Sequence, residues 1–342
     1  GVDIQPIAIQ ISKLRFFISL VVDQKTNDNP TDNFGIRPLP NLEAKFVAAN
    51  TLIGLDKIDA SLFDTDEVKE KEEEMKEARH KIFGAKTVKT KRKYRQRIAE
   101  IRQELSALLE ESGAVGNDGA KQLNSWDMFD QNASSPFFDS EWMFSIKDGF
   151  DIVIGNPPYR QIKWYSEEEK KCFKNANLLT FDNKTDIYCL FYEKGVNLLK
   201  QNGILSYITS NKWLYSNYGA LTRRWILNNS NPQCILNLGP NIFDNVSVDT
   251  NILLTSKSKY NGTKYALLKE SLDSLLFFEC FLDANGIWNI ENAMFHSLKH
   301  KVDQIRYHLS DFGVELNYGI LTGANNAYII SKKQRESIIR MD

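Results

Sequence analysis

The sequence predicts an α/β fold: a parallel, doubly wound sheet interrupted by a charged helical segment. Three observations predict it. Short apolar runs alternate with helix-length stretches from residue 150 to residue 254. Residues 64–112 are dominated by Glu, Lys and Arg and contain no proline. The chain has 342 residues, 42% hydrophobic and 25% charged, so it can bury a sizeable globular core.

The elements follow in order. Gly1-Val2-Asp3-Ile4 reads as the end of a buried strand. Pro6 opens a helix whose apolar stripe is Ile7, Ile11, Leu14 and Ile18. Residues 23–41, rich in Asn, Asp, Pro and Gly, form a loop. Phe46 to Ala49 is a short parallel strand with Asn50-Thr51 at its carboxyl end. Ile98, Ile101, Leu105 and Leu108 mark an amphipathic helix. With the preceding charged stretch it folds into a hairpin turning at Phe83-Gly84, an insertion over residues 60–125. Residues 113–149 read as an irregular, aromatic-rich connector. Strands are expected at 150–154, 204–209, 234–236 and 252–254, and helices at 186–201 and 215–228. Beyond residue 257 the pattern loosens, so the main domain covers 1–257 and a second region 258–342.

Composition narrows the function classes. No run approaches the roughly 18 apolar residues of a membrane span. Asp3 and Gln5 interrupt the opening, which is no signal peptide. The four cysteines show no CxxC spacing, so reduced thiols in the cytoplasm are expected, with neither a zinc site nor a disulfide framework. No metal is expected. Glu67-Val68-Lys69 and Glu74-Met75-Lys76 match half of a nuclease signature but lie in the charge run. His296, His300 and His308 lack a third ligand type at metal spacing. The net charge of -1 gives no general attraction for nucleic acid. A local patch suffices, however, and seven basic residues lie from Lys86 to Arg97. They suit a solvated helix face or contact with a DNA backbone.

The sharpest feature is Asp151-Ile152-Val153-Ile154-Gly155-Asn156-Pro157-Pro158-Tyr159. An apolar strand runs into two prolines, which fix the exit path and hold each preceding residue extended. At the carboxyl end of a parallel strand such a path lines the ligand crevice. Asn156 offers a side-chain carbonyl, Pro157 a backbone carbonyl and Tyr159 a flat ring. Two acceptors and an aromatic plane fit an exocyclic amino group on a planar base; such stacking is worth about 1–3 kcal/mol per base. The plain alternative is a proline-rich turn with a structural tyrosine.

This motif resembles the signature of amino-group methyltransferases that use S-adenosylmethionine. The wider sequence, from Gly1 to about Ile330, resembles the γ-class N6-adenine DNA methyltransferases. It is most similar to the methyltransferase region of type IIG restriction–modification enzymes. The resemblance implies a Rossmann-like S-adenosylmethionine-dependent methyltransferase sheet acting on double-stranded DNA, in an enzyme that carries or joins a nuclease domain or subunit. It implies that Asn156, Pro157, Pro158 and Tyr159 are catalytic and that no metal takes part. Asp3 would bind the cofactor's ribose, with Ile4 on its adenine. Asn50, where the family usually has Asp, would meet the adenine amino group. Phe243, within Ile242-Phe243-Asp244, would stack on the flipped base opposite Tyr159. Leu316-Asn317-Tyr318-Gly319-Ile320 and Thr322 to Tyr328 resemble the start of a target-recognition domain. The glycine-rich first motif is expected upstream of Gly1 and most of the target-recognition domain after Asp342.

Two other readings stay open. A methyltransferase of protein glutamine or RNA guanine shares the four-residue motif. A DNA-binding or assembly subunit could keep the fold without the chemistry.

Overall fold

Two sheets carry the fold of the chain, seen in a computed structural model. It describes residues 1–37, 45–55, 65–85, 87–113, 117–130, 132–240, 248–268 and 275–280, with isolated positions such as Val115, Phe243 and Trp288. The chain divides into two units, Gly1–Ile290 and Glu291–Asp342. Every strand and α-helix described lies in the first.

The smaller sheet pairs β1 (Val2–Asp3) with β2 (Val47–Ala48) in parallel, Val2 opposite Val47 and Asp3 opposite Ala48. Between them runs α1 (Pro6–Val22), with proline in its first turn, where a missing N–H costs nothing. Its packed face differs from the expected one. Ile9 and Lys13 are buried, whereas Ile7, Ile11, Leu14 and Ile18 are 50–58% exposed. The apolar residues of α1 lie on more than one side, so periodicity alone did not single out the packed stripe.

The charged segment forms α2 (Asp66–Phe83) and α3 (Val88–Glu111). Thr65 caps α2 by accepting from the Val68 amide at 3.3 Å, and Thr87 caps α3 by accepting from Thr90 at 3.1 Å. The hairpin reverses beside Phe83-Gly84, as the sequence predicts. Val68, Met75, Ala78 and Ile82 are buried on α2, and Ile98, Ile101 and Leu105 on α3. The following stretch is more regular than expected. It contains α4 (Asn117–Ser125) and α5 (Ser140–Phe144), and it sends Trp126, Phe137, Phe138 and Trp142 into the hairpin core. Val47 and Ala49 of the small sheet belong to that core, and Phe150 packs against it.

The larger sheet has six strands: β3 (Phe150–Gly155), β4 (Leu199–Ser210), β5 (Asn231–Gly239), β6 (Thr250–Ser256), β7 (Thr263–Leu267) and β8 (Phe278–Cys280). Their order is β3-β4-β6-β5-β7-β8. β3 and β4 are parallel, as are β5 and β7. β6 runs antiparallel to both neighbours and β8 antiparallel to β7. The sheet is therefore mixed rather than wholly parallel. Only ten residues separate Gly239 from Thr250, too few for a helical crossover. β7 and β8 extend this sheet past residue 257, and the first unit runs to Ile290.

Helices α6 (Glu167–Asn175), α7 (Tyr188–Asn197), α8 (Lys212–Tyr215) and α9 (Ala220–Asn229) complete the unit. Tyr188, Tyr192 and Val196 of α7 pack with Leu205 and Tyr207 of β4 and Ile226 of α9. The expected helix over 186–201 stops at Asn197, and β4 begins at Leu199. There Phe150 donates to Leu198 at 2.8 Å and Lys257 to Gly203 at 3.0 Å, so ladder pairing overrides helix propensity. The helix expected over 215–228 is broken by a 3-10 turn at Asn217–Gly219. His296, His300, His308 and residues 316–328 lie outside the described residues.

Candidate active site

β3 ends at Gly155 and delivers Asn156, Pro157, Pro158 and Tyr159 from the sheet. The exit is tight. Gly155 lies opposite Tyr207, and a Cβ at Gly155 would stand 3.1 Å from Cε1 of that ring. Asn156 and Pro158 are exposed, Pro157 is buried and Tyr159 half-buried. Neither the Asn156 side chain nor the Pro157 carbonyl makes a hydrogen bond among the described residues. Both acceptors named from the sequence are thus free to receive donors.

The far side of the motif is fixed by backbone bonding. Ile187 donates to the Arg160 carbonyl at 2.8 Å, and Ile162 to that of Thr185 at 2.9 Å. Gln161 and Asp186 form an antiparallel bridge. The Arg160 guanidinium lies 4.3 Å from the Tyr165 ring centroid. The loop is therefore held at both ends, by β3 and by the segment leading into α7.

Tyr159 stands between two rings. Tyr188 meets it edge-on at 6.0 Å with planes at 85°, and Phe243 at 6.4 Å with planes at 67°. The structure thus brings Tyr159 and Phe243 together, as an edge contact and not as parallel plates. Burial pushes the Tyr159 phenol up to about 12, and its hydroxyl is buried with no partner among the described residues.

Behind Tyr159 lies a constellation that sequence reasoning missed. Asp186, 8% exposed, accepts from the hydroxyls of Tyr188 and Tyr218, each at 2.8 Å. Those hydroxyls are 3.0 Å apart. Burial raises both phenols, so they stay neutral donors to the carboxylate. The sequence showed Asp186 only as a helix start. Its proximity to Tyr188 had a weak signal in the Asp-x-Tyr spacing, and that to Tyr218 had none.

The residues expected to hold a cofactor lie on the small sheet. Parallel register places Asp3 and Asn50 at the same ends of β1 and β2. Asp3 Oδ1 accepts from the Gln5 amide at 2.8 Å, and Asn50 Oδ1 from the Leu52 amide at 3.2 Å. Each side chain is thereby oriented, while its second polar atom, Oδ2 of Asp3 and Nδ2 of Asn50, has no hydrogen bond among the described residues. Ile4 is 57% exposed beside them. An exposed carboxylate, an amide and an apolar side chain at adjacent strand ends suit ribose hydroxyls and a purine. Asp244, Val246 and the rest of 244–247 lie outside the described residues.

The second of the nuclease-like triplets is absorbed by ion pairs: Glu74 pairs with Arg97 and Lys71, and Lys76 with Glu73 at 3.2 Å. In the basic stretch Arg97 serves this network, and Arg95 lies over Phe129 at 4.8 Å. Among the described residues no helix is long and apolar enough to cross a membrane.

The Type II methyltransferase M.AccI of Acinetobacter calcoaceticus is 24% identical over 225 residues, 60% of this chain and 41% of that protein. The adenine-specific methyltransferase BrxX of Escherichia coli O9:H4 (strain HS) is 29% identical over 113 residues, 33% of this chain and 9% of that protein. The type I restriction-modification methyltransferase subunit of Streptococcus thermophilus has a solved structure that aligns at 22% identity and a TM-score of 0.32, over 44% of this chain and 32% of that one. The chain thus spans less than half the length of these relatives. The model of the Eco57I restriction-modification methylase family matches residues 1–243, and the chain belongs to that family.

Proposed function

We propose that this chain carries the methyl-transfer site of a DNA adenine-N6 methyltransferase in a restriction–modification system, with S-adenosylmethionine as donor. The observation that carries the reading is the pair of free acceptors, Asn156 Oδ1 and the Pro157 carbonyl, at the end of β3 beside Tyr159. Family membership supports it, as do the names of relatives described as adenine-specific or as Type II methyltransferases.

The substrate is an adenine turned out of the duplex, because N6 is otherwise occupied by base pairing. Tyr159 offers the base a face, and Phe243 swings from its edge contact to cover the other. Asn156 and Pro157 accept the two amino hydrogens and localise the nitrogen lone pair. Positive charge develops on that nitrogen during transfer, and acceptors placed against it would stabilise that charge. S-adenosylmethionine, when bound, would supply the methyl group; Asp3, Ile4 and Asn50 would hold its ribose and adenine. The residues around the motif suit direct transfer without a cysteine adduct: Cys189 is buried and its thiol is pushed up to about 12. A nuclease domain or subunit completes the system, which works in the cytoplasm.

The test is mass spectrometry of nucleosides from DNA incubated with the protein and S-adenosylmethionine, with RNA and protein digests in parallel. N6-methyladenine should form in DNA and vanish with Asn156→Ala at unchanged fold. Methylation that persists in this variant, or that appears only on RNA or protein, refutes the assignment.

A further inference from the structure

A cavity of about 340 Å³ lies between the α2–α3 hairpin and α5, outside the methyl-transfer motif. Arg79 and Trp142 line it and are 7% and 8% exposed. One guanidinium nitrogen of Arg79, Nη1, donates to Ser145 Oγ at 3.0 Å, a neutral acceptor. The Nε of Arg79 and the indole Nε1 of Trp142 are both buried donors with no partner among the described residues.

Arg79 forms no ion pair among the described residues. Burial alone pushes its guanidinium down to about 10, still charged at neutral pH. A buried charge without a counter-charge is strongly disfavoured, so the site lacks an anion. Three of the four carboxylates that line the cavity are engaged elsewhere. Glu72 and Glu141 bind Lys147 at 2.5 and 3.2 Å, and Glu73 binds Lys76 at 3.2 Å. Met75 and Leu105 give the cavity an apolar wall.

We propose that this cavity binds a small monocarboxylate with an apolar body. Its carboxylate accepts from Arg79 and from the Trp142 indole, and its hydrocarbon rests on Met75 and Leu105. Guanidinium and carboxylate match in charge and planarity. The acidic rim of Glu72, Glu73, Glu141 and Asp148 disfavours a polyanion such as a duplex backbone.

Benzoate is the probe and benzamide its neutral isostere. Both are titrated into the full chain by calorimetry, with the Trp142 indole proton followed by NMR and assigned through Trp142→Phe. Benzoate should bind saturably, at least about tenfold tighter than benzamide. Binding should be lost in Arg79→Met and weakened about three- to tenfold in Trp142→Phe. Equal binding of the two probes, no binding of benzoate, or benzoate binding retained in Arg79→Met overturns the proposal. Should Arg79→Met fail to fold, the benzoate–benzamide ratio and Trp142→Phe decide. None of these readouts involves methyl transfer, so the result is independent of the function proposed above.

Discussion

Replacing Asp186 with Ala removes one acceptor from two phenols at once. Tyr188 is fully buried, and its hydroxyl and that of Tyr218 each lie 2.8 Å from the same carboxylate oxygen. Hydrogen bonds to a charged group contribute about 1.5–3 kcal/mol each. The loss is less than twice that, because the two hydroxyls, 3.0 Å apart, can still bond to each other. We expect Asp186→Ala to destabilise the protein by about 2–4 kcal/mol, and Tyr188→Phe or Tyr218→Phe, which each remove one donor, by about 0.5–1.5 kcal/mol. Urea denaturation followed by circular dichroism measures all three, and the double variant Asp186→Ala/Tyr188→Phe should fall short of additivity. The Tyr188 ring leans on Tyr159, so Asp186→Ala should also lower methylation at saturating cofactor, whereas Asp186→Asn, which keeps an acceptor, retains most of both properties. A change in stability below about 0.5 kcal/mol for Asp186→Ala would refute the reasoning, because surface-like substitutions already give that much.

Four further outcomes are expected. Calorimetric titration should show S-adenosylmethionine binding that Asp3→Ala abolishes; equal affinity in the variant removes Asp3 from the cofactor site. Ile101→Ala, at a fully buried position between α2 and α3, should cost about 2–5 kcal/mol in denaturant unfolding. Gly155→Ala sets a methyl 3.1 Å from the Tyr207 ring and should cost about 1–3 kcal/mol, with relief in Gly155→Ala/Tyr207→Leu. The Tyr159 phenol, raised to about 12 by burial, stays protonated when folded while its unfolded counterpart ionises near 10, so stability falls between pH 10 and 12; Tyr159→Phe should reduce that slope, measured by alkaline unfolding curves.

The strands were the most legible part of the fold. The apolar run Asp151 to Ile154 and its two prolines located the end of β3, because strand period and proline geometry are local properties. The hairpin was legible for the same reason: three-and-four spacing survives in Ile98, Ile101 and Leu105. α1 shows the limit. Its stripe was evident in the sequence, yet Ile9 and Lys13 face the core, and only the neighbouring strand decides that. The antiparallel course of β6 was hidden because a seven-residue strand with three apolar residues at its centre does not encode its direction. At the candidate site Asn156 and Pro157 could be named from chemistry alone. The Asp186–Tyr188–Tyr218 cluster could not, since Tyr218 reaches Asp186 across 32 positions of chain through a turn with no periodic signature.

The shared core of the hairpin and the small sheet makes the charged segment a keystone. Deleting residues 60–125 would expose Val47, Ala49 and Phe150 along with Trp126, Phe137, Phe138 and Trp142, and no minimal domain would survive the cut. Hydrogen exchange should then find α2, α3 and the 137–143 stretch opening as one cooperative block, and that block should include the strand next to Asn50. A substitution far out on the hairpin, one that touches neither DNA nor cofactor, would be felt at Asn50 as a change in how often that block opens.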